Sequence, residues 1–204
     1  MTEQENNWQQ DLAILSMRQQ KEEAETSSLD KGVYVNHKQL AFSRISLWEG
    51  RGSLCLPGNY SILAESLLRI KYPSEYRPQI IYTMEDKTTD FTFNWFPREL
   101  KENEGNIAAY QFKEILKRTN PALLFYEMKE EKIPVAKDKL VSLSWFDYKS
   151  YALDGQVYNI MFVMPLAKGM FQGNINCDFS QREDWKRAAM LVMQSIREGD
   201  EKSD

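Results

Sequence analysis

The chain has 204 residues and a formal net charge of −4, a length that fits one domain with an appendage. A domain of this size buries about 70% of its unfolded surface, so it can fold without disulfides or a structural metal. Hydrophobic residues make up 42% of the chain and charged residues 27%, as in soluble globular proteins. The acids are concentrated at the two ends, 1–25 and 197–204, and the near-neutral body offers no basic stripe for nucleic acid.

The two cysteines, Cys55 and Cys177, lie far apart in the sequence. A single disulfide between them is an open alternative, but two reduced thiols in a cytosolic protein are the preferred interpretation. The N-terminal residues lack the basic and apolar regions of a signal peptide, and no apolar run approaches the ~20 residues that span a bilayer. We therefore expect a cytoplasmic protein with no membrane contact.

Residues 2–24 are predicted to form a weakly amphipathic helix. Trp8, Leu12 and Leu15 fall at i, i+4 and i+7 and share one face, whereas the residues beyond Met17 are polar all round. Such a helix depends on docking. Two alternatives stay open: it packs loosely on its own domain, or it is offered to a partner. We divide the chain into an acidic helix and linker (1–31), a domain (32–198) and an acidic tail (199–204).

Strands are predicted from Gly32 onward. Val33, Val35 and His37 alternate with polar residues, and a second, bulged strand runs from 40 to 47. Gly50 to Gly52 forms a turn into a strand over 53–56, which Pro57-Gly58-Asn59 ends. Residues 62–68 supply one or two helical turns.

A hairpin is predicted over 79–84 and 90–96, after a connection bracketed by Pro73 and Pro78. In its second strand Phe91, Phe93 and Trp95 point to one face and Thr92, Asn94 and Phe96 to the other. Either both faces are covered, or an exposed ring at Trp95 or Phe96 marks a protein contact.

Asn106 is predicted to cap a helix of about three turns that Pro121 stops. The apolar stripe of this helix contains Ala108, Phe112, Ile115 and Leu116. Residues 122–128 form a strand, and a charged turn containing Pro134 follows.

Three strands and a helix close the chain. The strands are predicted over 141–151, 157–164 and 170–179, with turns at Asp154-Gly155 and Lys168-Gly169. Ser180 to Glu183 is an S-x-x-E capping box for an amphipathic helix that Gly199 stops. The predicted fold class is α+β: an antiparallel sheet with helices packed on both faces, an α/β/α sandwich, preceded by the N-terminal helix.

This order of elements resembles the PsbP/DcrB-like superfamily across roughly residues 40 to 197. The likeness is carried by core and turn segments: Leu54 to Pro57 with Tyr60, Lys71 to Pro78, Phe91 to Asn94, Trp145 to Gly155, and Trp185 to Ile196. The resemblance implies an antiparallel sheet flanked by helices. It also implies a binding or assembly role, since members serve as extrinsic photosystem II subunits, a nuclear-transport factor and bacterial lipoproteins. It supplies no catalytic residue.

Catalytic and cofactor motifs are missing from the sequence. The single histidine, His37, rules out a multi-histidine zinc site, and no C-x-x-C, P-loop or G-x-G-x-x-G occurs. Asp147 and Asp154 are interpreted as a strand-face polar group and a turn residue rather than a glycosidase pair. Tyr72, Tyr76 and Arg77 are interpreted as packing around two prolines rather than stacking on nucleic acid. We expect no catalytic residues, no cofactor and no metal.

The leading hypothesis is a non-catalytic accessory protein that binds an unidentified protein, such as a toxin, a secretion component or another assembly. A second is a small-ligand binder with a pocket between sheet and helix lined by Tyr148, Tyr151 and Tyr158. A third is an enzyme that uses carboxylates. The oligomeric state is left open. The partner surface is predicted at Trp8, Leu12, Leu15, Tyr76, Arg77, Trp95 and Phe96.

Overall fold

A computed structural model describes residues 3–101, 104–152 and 155–199. The α-helices of these residues are α1 (Glu3–Thr26), α2 (Glu65–Lys71), α3 (Glu104–Thr119) and α4 (Arg182–Gln194). The first strands are β1 (Val33–Val35), β2 (Lys38–Leu40), β3 (Phe42–Leu47), β4 (Gly52–Pro57), β5 (Tyr60–Ile62), β6 (Ile80–Met84) and β7 (Asp90–Phe96). The later strands are β8 (Leu124–Ala136), β9 (Lys139–Ala152), β10 (Gly155–Leu166), β11 (Gly169–Asp178) and β12 (Arg197–Glu198).

A seven-stranded antiparallel sheet in the order β5-β6-β7-β11-β10-β9-β8 forms the centre of the protein. On one face lie α4 and a three-stranded sheet in the order β12-β4-β3; on the other lies α3. The hairpin of β1 and β2 forms a separate two-stranded sheet that packs against α1 and α4, and its Val33 and Val35 join the core on the α4 side. The predicted fold class, an antiparallel sheet with helices on both faces and an N-terminal helix, is therefore confirmed.

The larger core lies between the sheet and α4. The Trp185 ring meets Phe91 edge-on at 5.8 Å between centroids, and Phe162 meets Phe171 in the same way at 5.2 Å. A Cβ at Gly173 would lie 2.2 Å from the Phe162 ring, so only glycine lets this ring close the core. The smaller core under α3 contains Leu100, Ala109, Leu123, Phe146, Tyr148, Val163 and Met170.

Several predictions about the first third of the chain need correction. His37 does not continue β1; it lies in the β1–β2 turn with a φ of 60°. The single bulged strand over 40–47 is two strands, β2 and β3, which belong to different sheets. The helix near 62–68 begins only at Glu65, because Tyr60–Ile62 pairs with β6 as an edge strand.

The middle of the chain also differs from the prediction. Helix α3 begins at Glu104, so Asn106 lies inside it rather than at its cap, and Ile115 is 48% exposed instead of joining the buried stripe. The charged segment around Pro134 is not a turn, since β8 runs through it to Ala136. Proline is tolerated there because β8 is an edge strand and is bulged at that point.

The last helix is capped and ended differently from the prediction. The backbone N–H of Ser180 donates to the Asp178 carboxylate at 2.8 Å, so Asp178 caps the 3₁₀ turn that precedes α4 and no Ser180 capping box forms. The helix ends at Gln194, and the chain then forms β12 before it reaches Gly199. The predicted turn residue Asp154 lies outside the described residues.

Candidate functional site

Helix α1 exposes the apolar face predicted from its spacing. Trp8 is 71% exposed, Leu12 61% and Leu15 59%, and every side chain from Asp11 to Glu22 is exposed. The contacts of α1 with the domain lie at its other, polar end. There the Nδ1 of His37 lies 3.1 Å from a carboxylate oxygen of Glu23. The polar half of α1 docks, and the apolar half is left uncovered.

Tyr76 and Arg77 lie on the loop between α2 and β6. Tyr76 is 96% exposed, and Arg77 is exposed as well. The hydroxyl of Ser74 accepts a hydrogen bond from the backbone N–H of Tyr76 at 3.1 Å, which closes a tight turn before the aromatic residue.

Trp95 and Phe96 lie on opposite faces of β7 and are each partly buried. The indole N–H of Trp95 donates to the carbonyl of Leu166 at 3.0 Å, and the Arg51 guanidinium lies 4.6 Å from the ring centroid. Phe96 packs against the smaller core. The seven predicted surface residues therefore lie at three separate places, and Trp95 and Phe96 take part in packing.

A buried charged cluster, here called the Asp147 cluster, lies where β8, β9, β10 and α4 meet. Asp147 is 2% exposed. Its carboxylate accepts hydrogen bonds from the Lys186 ammonium at 2.8 Å and from the Tyr158 hydroxyl at 2.8 Å. It also accepts from the backbone N–H of Glu127 at 2.7 Å. All three contacts satisfy a charge that would otherwise be costly to bury.

The contact with Glu127 explains the bulge in β8. Phe125 pairs with Tyr148 and Met128 pairs with Phe146, so Tyr126 and Glu127 together oppose Asp147. A bulge leaves backbone groups of the extra residue without a ladder partner, and the Asp147 carboxylate supplies one.

A second cluster of the same composition, the Asp90 cluster, lies at the start of β7. Asp90 is also 2% exposed, and its carboxylate accepts from the Lys71 ammonium at 2.9 Å and from the Tyr72 hydroxyl at 3.0 Å. The Asn176 amide in turn donates to the Tyr72 oxygen at 3.3 Å. This cluster ties the end of α2 to the sheet.

The protonation chemistry of these groups is unsuited to proton transfer. Burial and the Asp147 charge raise the pKa of Tyr158. Burial works to lower the pKa of Lys186, but its contacts with Asp147 and Glu127 outweigh burial and raise it. Burial also raises the pKa of the Cys177 thiol. General bases and nucleophiles need a pKa near the working pH or below their ordinary value, and these shifts run the other way.

The tyrosines predicted to line a ligand pocket do not converge. Tyr148 faces the smaller core, Tyr158 faces α4, and Tyr151 is 52% exposed. A cavity of about 270 Å³ lies elsewhere, at the end of the sheet near the β10–β11 turn. The predicted lining of a pocket between sheet and helix is therefore wrong, because these three tyrosines do not meet at one place.

Metal-binding groups are also scattered. Across residues 3–101, 104–152 and 155–199, no three side chains of histidine, cysteine, aspartate or glutamate are grouped closely enough to hold an ion. Both Cys55 and Cys177 are free thiols.

The two aspartate clusters are the main features that the sequence analysis missed. Asp147 lies 11 residues from Tyr158 and 39 from Lys186, and no local spacing joins these positions. The only available signal was an acid inside an otherwise apolar strand, WFDY, which requires a partner when buried.

No protein-family model matches this chain, and no curated protein matches it. Several solved structures do match it. The cyanobacterial PsbP (CyanoP) of Synechocystis sp. PCC 6803 superposes with a TM-score of 0.57 at 7% identity, over 82% of this chain and 98% of that one.

Two further structures match less well. LpqN of Mycobacterium tuberculosis, involved in cell envelope biogenesis, has a TM-score of 0.48 at 10% identity, over 81% of this chain and 95% of its own. The type VI secretion immunity protein TplEi of Pseudomonas aeruginosa, solved with a peptide, has a TM-score of 0.40 at 13% identity, over 92% and 84%. At 7% identity the match with CyanoP shows the fold alone.

The fold is therefore PsbP-like, as the resemblance implied. Among the described residues, no helix is both long enough and apolar enough to cross a bilayer.

Proposed function

We propose that this protein is a non-catalytic accessory protein that binds another protein through α1. The proposal is supported by the way this helix contacts its own domain, through polar rather than apolar side chains. A helix that only closed its own domain would bury its apolar side chains and expose its polar ones. Here Trp8, Leu12 and Leu15 are each more than half exposed, while Glu23 contacts the domain.

The spacing of the exposed side chains fits a known mode of recognition. Amphipathic helices that lie in a groove present anchors at i, i+3 or i+4, and i+7, as Trp8, Leu12 and Leu15 do. Tryptophan is also enriched among residues that dominate binding energy. Residues 1–25 carry six acidic and two basic side chains, so the complementary partner has an apolar groove with a basic rim.

We further propose that the protein acts in the cytoplasm as a domain of residues 32–198 flanked by the acidic helix and tail. Two free thiols, one of them buried, support a reducing compartment. The pKa directions of Tyr158, Lys186 and Cys177 support a binding role over a catalytic one.

The proposal is tested with two matched triple variants purified under mild conditions from native cells. The first changes Trp8, Leu12 and Leu15 to serine. The second changes the three exposed apolar residues of α3, Ile107, Tyr110 and Ile115, which are 56%, 55% and 48% exposed. We expect quantitative mass spectrometry to find a stoichiometric partner with the wild type and the α3 variant but not with the α1 variant. No partner with any of the three, or equal loss in both variants, would contradict the proposal.

A further inference from the structure

The loop between α2 and β6 presents an aromatic side chain that the proposed function does not use. Tyr76 is 96% exposed, the highest value among the large apolar and aromatic side chains that the structure describes. Glu75 and Arg77 flank it and are exposed, and neither forms an ion pair within the described residues. The segment therefore presents an acid, a ring and a base side by side.

Both ends of this loop are fixed by buried or partly buried groups. At one end the Tyr72 hydroxyl donates to Asp90 at 3.0 Å. At the other, the backbone N–H of Gln79 donates to the Asn94 side chain at 2.9 Å. The Gln79 amide also donates to the Trp95 carbonyl at 3.0 Å. Pro73 and Pro78 restrict the backbone between these anchors. Because the loop is held before binding, an incoming partner has little ordering entropy to overcome.

The cavity at the end of the sheet is open, and its apolar walls and charged rim are complementary to this loop. Its volume is about 270 Å³, just below the ~300 Å³ at which small-molecule pockets begin, and that suits one aromatic side chain better than a cofactor. Leu140, one of its lining residues, is 62% exposed. Its walls are Leu100, Leu140, Val141, Pro165 and Leu166, and its charged rim is Glu99, Lys139, Lys168 and Glu198.

The rim contains an acid that can receive a base. Glu198 is already engaged, since it pairs with Lys139 and accepts from the backbone N–H of Ala167 at 2.7 Å. Glu99 is exposed and forms no ion pair within the described residues. An arginine entering beside the ring would therefore meet Glu99.

The geometry points to a second copy of this chain as the occupant of the cavity: Tyr76 of one copy fills it while Arg77 pairs with Glu99. Tyr76 does not fill the cavity of its own chain, since its ring is almost fully exposed. A contact centred on one side chain gives a small interface, so the association is weak, with a Kd in the micromolar range. Reciprocal insertion gives a closed dimer, and one-way insertion gives a head-to-tail series.

Sedimentation velocity on the full chain from about 5 to 500 μM tests this inference. We expect the wild type to associate with increasing concentration and Tyr76→Ala to weaken association at least ~10-fold, which is about 1.4 kcal/mol. Arg77→Glu and Glu99→Arg are each expected to weaken it, and the two together to restore it by charge exchange. Tyr110→Ala, which removes a tyrosine 55% exposed on α3, is the matched control and leaves association unchanged.

The serine variant of Trp8, Leu12 and Leu15 separates this inference from the proposed function, because it leaves both Tyr76 and the cavity intact. It is expected to self-associate like the wild type. A monomer at every concentration, or association that survives Tyr76→Ala, overturns the inference without touching the role of α1. Association lost in the α1 variant and kept in Tyr76→Ala overturns it in favour of pairing between helices.

Discussion

Asp90 and Asp147 are held in the sheet in the same way but support different irregular segments. Each is 2% exposed, and each accepts from a lysine at 2.8 to 2.9 Å and from a tyrosine at 2.8 to 3.0 Å. Asp90 lies behind the loop of Tyr76, and Asp147 lies behind the bulge of β8. In both places the sheet borders a segment that does not form regular β-sheet hydrogen bonds.

The comparison indicates why this fold contains buried charges without a reaction centre. A buried ion pair seldom adds net stability, because desolvation of two charges offsets their attraction. Its use here is positional: the carboxylate fixes a lysine, a tyrosine and, at Asp147, a backbone N–H at once. Burial raises the pKa of both Tyr72 and Tyr158, so both phenols keep their protons as fixed donors.

The largest expected effect comes from neutralising either aspartate. Asp147→Asn and Asp90→Asn should each lower the free energy of unfolding by about 2 kcal/mol, because a lysine that is only 26% or 30% exposed loses its counter-charge and a tyrosine loses a charged acceptor. Urea denaturation checks this. Glu183→Gln, which removes an exposed partner of Arg182, is the control and should change stability by less than about 0.5 kcal/mol. If Asp147→Asn lowers the free energy of unfolding no more than this control does, the cluster does not stabilise the sheet.

The two clusters should differ in what they hold locally. Asp90→Asn should speed cleavage after Glu75 by a glutamate-specific protease about tenfold, because it releases one anchor of the loop. Asp147→Asn destabilises the whole fold to a similar extent but leaves that anchor in place, so it should not change the cleavage rate. Equal rates in the two variants would show that cleavage follows global unfolding instead.

The Asp147 cluster also predicts a loss of stability in alkali. Burial and the Asp147 charge raise the pKa of Tyr158, so the folded state keeps this proton after unfolded tyrosines titrate, near pH 10. That stabilisation is complete below the unfolded pKa and is lost as pH rises above it.

Urea midpoints between pH 8 and 11 test this pH dependence. Tyr158→Phe should lose about 1 kcal/mol at pH 7 with its hydrogen bond, yet fall less steeply above pH 10. Parallel curves for Tyr158→Phe and the wild type would be inconsistent with a raised pKa at this residue.

The smallest effect is expected where α1 meets the domain. His37 is 51% exposed in its pair with Glu23, so His37→Gln should change the unfolding free energy by no more than about 0.5 kcal/mol. Thermal denaturation at neutral pH measures this. A cost near that of Asp90→Asn would mean that α1 docks much more firmly than its contacts indicate.

Local patterns predicted much of the fold. Alternation of apolar residues located β6, β7 and the three closing strands, and Lys168-Gly169 forms the turn between β10 and β11, with a φ of 56° at Lys168. The pattern was wrong over β8, because an edge strand can carry charges and a proline that imitate a turn.

Only those parts of the candidate site that lie on a single helix or a single loop could be predicted from the sequence. The spacing of Trp8, Leu12 and Leu15 identified the apolar face of α1, and the prolines identified the loop of Tyr76. The two aspartate clusters could not be predicted, since Lys71 lies 19 residues before Asp90 and Lys186 lies 39 residues after Asp147. Contacts of that kind form only when the strands are assembled into the sheet, so they produce no periodic pattern in the sequence.

We propose above that the uncovered face of α1 binds a partner protein. A photo-reactive amino acid at position 12, activated in native cells, tests it most directly, with position 110 on α3 as the control site. We expect one discrete protein adduct from position 12, absent from position 110 and lost when Trp8 and Leu15 are serine. No adduct from position 12, the same adducts from both positions, or an adduct made only of two copies of this chain would contradict it.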